Sequence, residues 1–228
     1  MTVVCLDAPS PNHGDRKGRS VSLVVLHYTG MKTGQEALDR LRDPEAGVSA
    51  HYLLEEDGRA FSLVPEDRRA WHAGVSSWAG ETDVNSISVG IEIVNPGHEH
   101  GYRAFPDAQI ETLIPLLRGI CQRHSVPPRG VVGHSDVAPD RKEDPGELFP
   151  WDRLADEGLA LAPWSGAMPD SLPAADDASS LLDRIGYGTE LYGLDACVTA
   201  FHRRFYPQGL GQGLSPPTLA AIAEVSGR

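Results

Sequence analysis

Within Gly133-His134-Ser135-Asp136-Val137-Ala138-Pro139-Asp140-Arg141-Lys142-Glu143-Asp144-Pro145-Gly146, a histidine, several carboxylates and a lysine crowd into a segment broken by two prolines. Each proline removes a backbone donor, fixes φ and pushes the residue before it towards extended geometry. The stretch is therefore expected to be a stiff loop and not a regular helix. Its first histidine, His134, and its last carboxylate, Asp144, can then be aimed at one point. Zn²⁺ takes imidazole nitrogen and carboxylate oxygen, and its catalytic sites use three protein ligands plus a water. Taken alone, the stretch leaves a second reading open, an acidic surface loop with one exposed histidine.

A third ligand is available in His27. It ends the apolar run Val21 to Tyr28, which has the length and β-branched content of a buried strand. In open α/β sheets, ligands gather outside the carboxyl ends of the strands. If the strands that carry His27 and His134 are parallel neighbours, His27, His134 and Asp144 converge and leave a fourth tetrahedral position for water. Glu92 lies on a second strong strand, Ile87 to Val94. Alternation there puts Ile87, Val89, Ile91 and Ile93 on one face and Ser88, Gly90 and Glu92 on the other. A glutamate beside an activated water can take its proton and pass it to a leaving amine. Lys142, two residues before Asp144, can meet a developing oxyanion as a fixed positive charge. Read singly, Glu92 can equally be an edge-strand carboxylate and Lys142 a solvated cation.

The elements that must position these groups follow from periodicity and punctuation. Thr33 to Leu41 reads as a helix with Thr33 as N-cap and Glu36 completing a capping box. Ala50 to Glu55 and Ala60 to Val64 flank Glu56-Asp57-Gly58-Arg59, a hairpin signal. Residues 65–86 form a long connection holding Trp71, His72 and Trp78, and a loop of that length is usually functional. Trp78 can stack on a ligand or pack in the core, and His51 is expected to pack or hydrogen-bond. Asp107 to His124 is the longest predicted helix, and Gly130 to Gly133 is a short strand delivering His134. Residues 1–20 read as an irregular arm. Residues 160–175, rich in Ala, Pro, Ser and Gly, read as a linker. Helical stretches follow over Asp177 to Ile185, Leu194 to Phe205 and Pro216 to Val225. The expected organisation is a catalytic domain over 1–159, a linker over 160–175 and a helical domain over 176–228.

A chain of 228 residues can build one sizeable core and a small second one. Its formal net charge of -12 argues against nucleic acid and anionic membranes as partners. Cys5, Cys121 and Cys197 are odd in number and far apart, which argues against a disulfide framework and a thiolate metal site. No run has the length of a membrane span, and the first residues have no signal-peptide pattern. A cytoplasmic monomer is expected, or a periplasmic or cell-wall one if an export signal has been removed.

Leu-His-Tyr-Thr, Ser-Ala-His-Tyr-Leu, Ala-Trp-His-Ala-Gly, Ser-Val-Gly-Ile-Glu-Ile-Val-Asn and the 133–146 stretch occur in that order. Together they resemble the type-2 family of zinc-dependent N-acetylmuramoyl-L-alanine amidases, which includes the AmpD and AmiD enzymes and is related to peptidoglycan recognition proteins. The resemblance covers about residues 20–155. It implies an α/β fold with a central mixed sheet flanked by helices, and one Zn²⁺ per chain. It implies hydrolysis of the amide between N-acetylmuramic acid, or its anhydro form, and L-alanine, in peptidoglycan or its fragments (muropeptides). His27, His134 and Asp144 match the metal ligands, Glu92 the water-activating glutamate and Lys142 the lysine that stabilises the tetrahedral intermediate. Tyr28, His72 and Trp78 are candidate substrate contacts. Tyr28 stands where AmpD has an asparagine, which favours the AmiD-like side. The rival class is a non-catalytic peptidoglycan-recognition protein, which would leave ligand or catalytic positions unfilled. Leu181 to Gly188 and Ala200 to Pro207 resemble a three-helix peptidoglycan-binding domain. The usual Asp-Gly turn before its last helix is replaced by Gly209-Leu210-Gly211-Gln212-Gly213, so a helical appendage packed on the catalytic domain is the alternative.

Overall fold

The computed structural model describes residues 3–228. Its strands are β1 (Cys5–Asp7), β2 (His13–Asp15), β3 (Leu23–Tyr28), β4 (Tyr52–Leu54), β5 (Ala60–Ser62), β6 (Arg68–Ala70), β7 (Ser88–Ile93) and β8 (Val131–Gly133). The helices are α1 (Gly34–Arg42), α2 (Val84–Ile87), α3 (Gly97–His100), α4 (Asp107–His124), α5 (His134–Val137), α6 (Trp151–Asp156), α7 (Ala178–Ile185), α8 (Thr189–Tyr192), α9 (Leu194–Phe205) and α10 (Pro216–Ser226).

Six strands form one mixed sheet in the order β1-β5-β4-β7-β3-β8. The pairs β4/β7, β7/β3 and β3/β8 are parallel, and β4/β5 is the antiparallel hairpin expected around Gly58. Strands β2 and β6 make a separate antiparallel pair. The fold is thus the α/β arrangement with a central mixed sheet and flanking helices.

Alternation along β3 and β7 divides the interior. Val24, Leu26, Val89, Ile91 and Ile93 point into one core, which α4 covers with Ile110, Leu113, Leu117 and Ile120. Leu23, Val25 and Val132 point into a second core with Leu182, Phe201, Phe205 and Ile222 from α7, α9 and α10. The C-terminal helices therefore bury their apolar faces against the sheet itself. His27 shares the parity of Leu23 and Val25, so it emerges on that second face. Thr33 caps α1, its side chain accepting from the Glu36 amide at 3.2 Å.

Two expectations need correction. The arm read over residues 1–20, whose first two residues lie outside the described ones, is not wholly irregular: β1 extends the sheet edge parallel to β5, and β2 pairs β6. Each is three residues long, too short for an alternation of apolar and polar residues to show in the sequence. The 133–146 stretch contains a helical turn, α5, before its first proline. The prolines forbid a longer helix but not four residues ahead of them.

Candidate active site

The sheet lines up the candidate residues by register. Leu26 pairs Gly133 across β3/β8, so His27 and His134 follow side by side at the carboxyl ends of adjacent parallel strands. His27 pairs Glu92 across β3/β7 on the same face. Asp144 returns to this point because the Ser135 amide donates to the Asp144 carbonyl at 2.9 Å, tying the ends of the loop together.

His27 Nδ1, His134 Nδ1 and Asp144 Oδ2 form a nearly equilateral triangle with edges of 2.9, 3.0 and 3.1 Å. All three side chains are buried. The remaining hydrogen bonds fix which nitrogens carry protons. His134 Nε2 donates to the Ala73 carbonyl at 3.1 Å, so its Nδ1 is bare. The Ser88 hydroxyl donates to the Val84 carbonyl at 2.6 Å and thus accepts from His72 Nε2 at 3.2 Å. His72 Nδ1 must then accept from His27 Nε2, 3.0 Å away, which leaves His27 Nδ1 bare as well. Three lone-pair atoms face one another with no proton between them, an arrangement that a cation relieves. Burial, and then the neighbouring His134, lowers His27 to about 4. The donor set is thus one carboxylate oxygen and two imidazole nitrogens. Tetrahedral Zn²⁺ with bonds of about 2.0–2.1 Å needs ligand atoms on the order of 3.3 Å apart, so the triangle fits with a slight expansion. Among the described residues, His27, His134 and Asp144 form the group able to hold a metal ion.

These ligands line a cavity of about 400 Å³, with Glu92, Lys142 and Tyr28 also in its wall. Glu92 Oε2 is sealed from solvent and has no hydrogen-bond partner among the described residues. Burial, then the Asp144 charge, raises its carboxyl well above the usual range. The Lys142 ammonium is half-buried and makes no ion pair or hydrogen bond among the described residues. The pocket therefore holds a carboxyl and a cation, neither engaged with the protein. Tyr28 forms a hydrogen bond with His98 Nδ1 at 3.0 Å, and burial raises its phenol to about 12, so it presents a neutral wall.

His72 also lines the cavity wall. His72 is buried behind His27 and is held by its backbone amide to Asn85 Oδ1 at 3.0 Å. A Cβ at Gly90 would meet its ring at 2.4 Å, so the glycine on β7 is what lets the imidazole lie against the strand. Trp78 does not line the cavity. It is buried in the second core, edge-on to Tyr187 with ring centroids 5.1 Å apart and close against Gly186. Its indole is covered by residues more than a hundred positions away, and of the two alternatives open in the sequence it takes core packing. His51 is buried outside the triangle, bonded to the Gly90 amide at 2.9 Å and the Arg68 carbonyl at 3.1 Å. Sequence reasoning missed Ser88 as the end of the His27–His72 chain, although it shares the Gly90 and Glu92 face. It also missed Asp136 and Arg204. Arg204 falls on the α9 stripe of Cys197, Phe201 and Phe205, and an arginine at a core position was the available signal.

A family model described as N-acetylmuramoyl-L-alanine amidase (Amidase_2) matches residues 17–147, more than half of the chain. N-acetylmuramoyl-L-alanine amidase AmiD of Escherichia coli K12 is 40% identical over 163 residues, which are 66% of this chain and 56% of that protein. The chain thus spans little more than half the length of that relative. A solved structure of Escherichia coli AmiD with the substrate anhydro-N-acetylmuramic acid-L-Ala-D-gamma-Glu-L-Lys superposes with a TM-score of 0.80 at 32% identity, covering 95% of this chain and 91% of that one. AmpDh3 of Pseudomonas aeruginosa gives a TM-score of 0.81 at 30% identity, covering 100% and 98%.

Proposed function

Since the chain belongs to the N-acetylmuramoyl-L-alanine amidase family, we propose that it is a zinc amidase that hydrolyses the bond between the lactyl carbonyl of N-acetylmuramic or anhydro-N-acetylmuramic acid and L-alanine. One observation carries this reading: two imidazole nitrogens and a carboxylate oxygen, all buried, converge within 2.9–3.1 Å of one another. His27, His134 and Asp144 would hold one Zn²⁺. When bound, it supplies Lewis acidity to a water and to the scissile carbonyl near neutral pH.

The remaining steps belong to side chains. Glu92 takes a proton from water as its oxygen attacks the carbonyl carbon, and passes it to the amide nitrogen as the C–N bond breaks. Its unpartnered Oε2 is free for that proton. Lys142 donates to the carbonyl oxygen as negative charge develops there, and its lack of an internal partner keeps it available. The products are the muramyl carboxylate and a peptide with a free L-alanyl amine. Tyr28, paired with His98, forms part of the wall that receives the substrate. We assign catalysis to residues 1–159, which 160–175 connect to the helices of 176–228. Among the described residues no helix is long and apolar enough to cross a membrane.

Incubation with an anhydro-muropeptide and with intact sacculi tests the reading and separates its two substrate forms. Release of L-alanyl peptide from either one, abolished in His134→Ala, is expected. Muropeptide binding without release by the zinc-loaded wild type would instead make the protein a recognition module.

A further inference from the structure

Asp136 follows the ligand His134 by two residues and is completely buried. Its Oδ2 accepts from the Gly133 amide at 2.7 Å and from Arg204 Nη1 at 2.7 Å, and its Oδ1 accepts from the Tyr187 hydroxyl at 2.6 Å. Arg204 is itself buried. Its Nη2 donates to the Val131 carbonyl at 2.7 Å, and its guanidinium lies over the Trp151 ring, 4.4 Å from the centroid.

Both donors come from the C-terminal helical part: Arg204 from α9 and Tyr187 from the turn after α7. Two more contacts follow the same segment. The Tyr192 hydroxyl donates to the Val137 carbonyl at 3.2 Å, and Arg203 Nη2 donates to Glu143 Oε1 at 2.7 Å. The held segment begins on β8, an edge strand three residues long with pairing on one side only. An edge that short has little of its own to fix its end.

We propose that Arg204 and Tyr187 are positioning residues for the metal site, so that the C-terminal helices complete the ligand geometry at His134 and Asp144. The inference rests on the zinc reading of that site. Arg204 neutralises the one buried carboxylate of α5 and also ties the outer edge of β8. Without it, Asp136 is a buried anion with no countercharge, and such a group is strongly destabilising where it stands. The segment relaxes by turning the carboxylate towards water, and that motion carries the His134 backbone with it. Metal ligation tolerates displacements of about 0.2 Å, so a small rotation of α5 registers first as lost affinity.

The test uses the full chain and zinc affinity by competition with a chromophoric chelator, together with the visible spectrum of the Co²⁺-substituted protein. Arg204→Met is expected to weaken zinc about 10- to 100-fold, the range typical of residues that orient metal ligands. It should also alter the Co²⁺ bands while far-ultraviolet dichroism stays native. Asp136→Asn combined with Arg204→Met should bind closer to wild type than Arg204→Met alone, because the uncompensated charge is gone. Tyr187→Phe is the milder probe should Arg204→Met fail to fold, with an expected loss of a few-fold. Ile222→Ala damages the same core from α10, which packs on α7 and α9, and should lower Tm without changing zinc affinity. Wild-type affinity in Arg204→Met and Tyr187→Phe overturns the inference, and so does an equal loss in Ile222→Ala. Failure of the wild type to bind zinc overturns the underlying metal reading instead, and the inference with it.

Discussion

The Nε2 of His27 lies 3.0 Å from Nδ1 of His72, so a candidate metal ligand is oriented by a second, neutral imidazole. Burial, then the charge of His27, lowers His72 well below its ordinary value, which keeps it an acceptor at neutral pH. Ser88 fixes the far end of the chain. His72→Leu removes the acceptor and should weaken zinc on the order of 10- to 100-fold. His72→Asn, whose side-chain oxygen stands near the position of Nδ1, should recover most of that loss. Zinc titration against a chelator checks both, and equal affinity in His72→Leu and wild type would reject the orienting role.

Glu92→Gln keeps the shape of the side chain and removes its capacity to take a proton. Its kcat should fall by about 10²- to 10⁴-fold, with zinc stoichiometry and KM little changed. Steady-state kinetics beside metal analysis of the same sample separates this from a metal-binding defect. A variant that turns over at the wild-type rate would remove Glu92 from the chemistry.

Lys142→Met should lower kcat by roughly 10²- to 10³-fold through loss of a donor to the developing oxyanion. The ammonium has no internal partner, so folding stability should be unchanged within about 0.5 kcal/mol. Thermal melts and initial rates measured together decide this, and a large drop in Tm would mean that Lys142 has a structural task.

Burial, then the charge of Arg16, lowers His51 to about 3, and burial lowers His202 to about 4. Unfolding frees both rings to take protons at their ordinary value near 6.5, so the unfolded chain binds more protons below that pH. Their contribution is therefore complete above pH 6.5 and is lost as pH falls towards 4. For His202, fully covered in the helical core, this amounts to on the order of 3 kcal/mol by pH 4. Urea midpoints of metal-free protein at pH 7 and 4.5 should fall less in His202→Gln than in wild type, by roughly 2 kcal/mol. An identical loss in both would contradict the buried neutral ring.

Much of the site was legible because parallel strands deliver residues at their carboxyl ends. The runs ending at His27 and Gly133, and the alternation of Val89, Ile91 and Ile93 against Ser88, Gly90 and Glu92, need only periodicity. Helices α4 and α9 begin and end where their apolar spacing does. What stayed hidden depends on contacts distant in sequence. The short triplets of β1 and β2 become strands because β5 and β6 pair with them. Trp78 is buried because Tyr187 and Gly186 arrive from the far end of the chain. His72 can lie against β7 and reach His27 because Gly90 has no side chain. Asp136, which in sequence is one more carboxylate of an acidic loop, is a buried ion because Arg204 reaches it from α9.

The most direct measurement is the rate of L-alanyl-peptide release from an anhydro-muropeptide as metal-free protein is titrated with Zn²⁺. Release should be absent at the start, rise in proportion to added zinc and saturate at one equivalent per chain. Full release from verified metal-free protein, or none at any zinc level, would contradict a single catalytic zinc held by His27, His134 and Asp144.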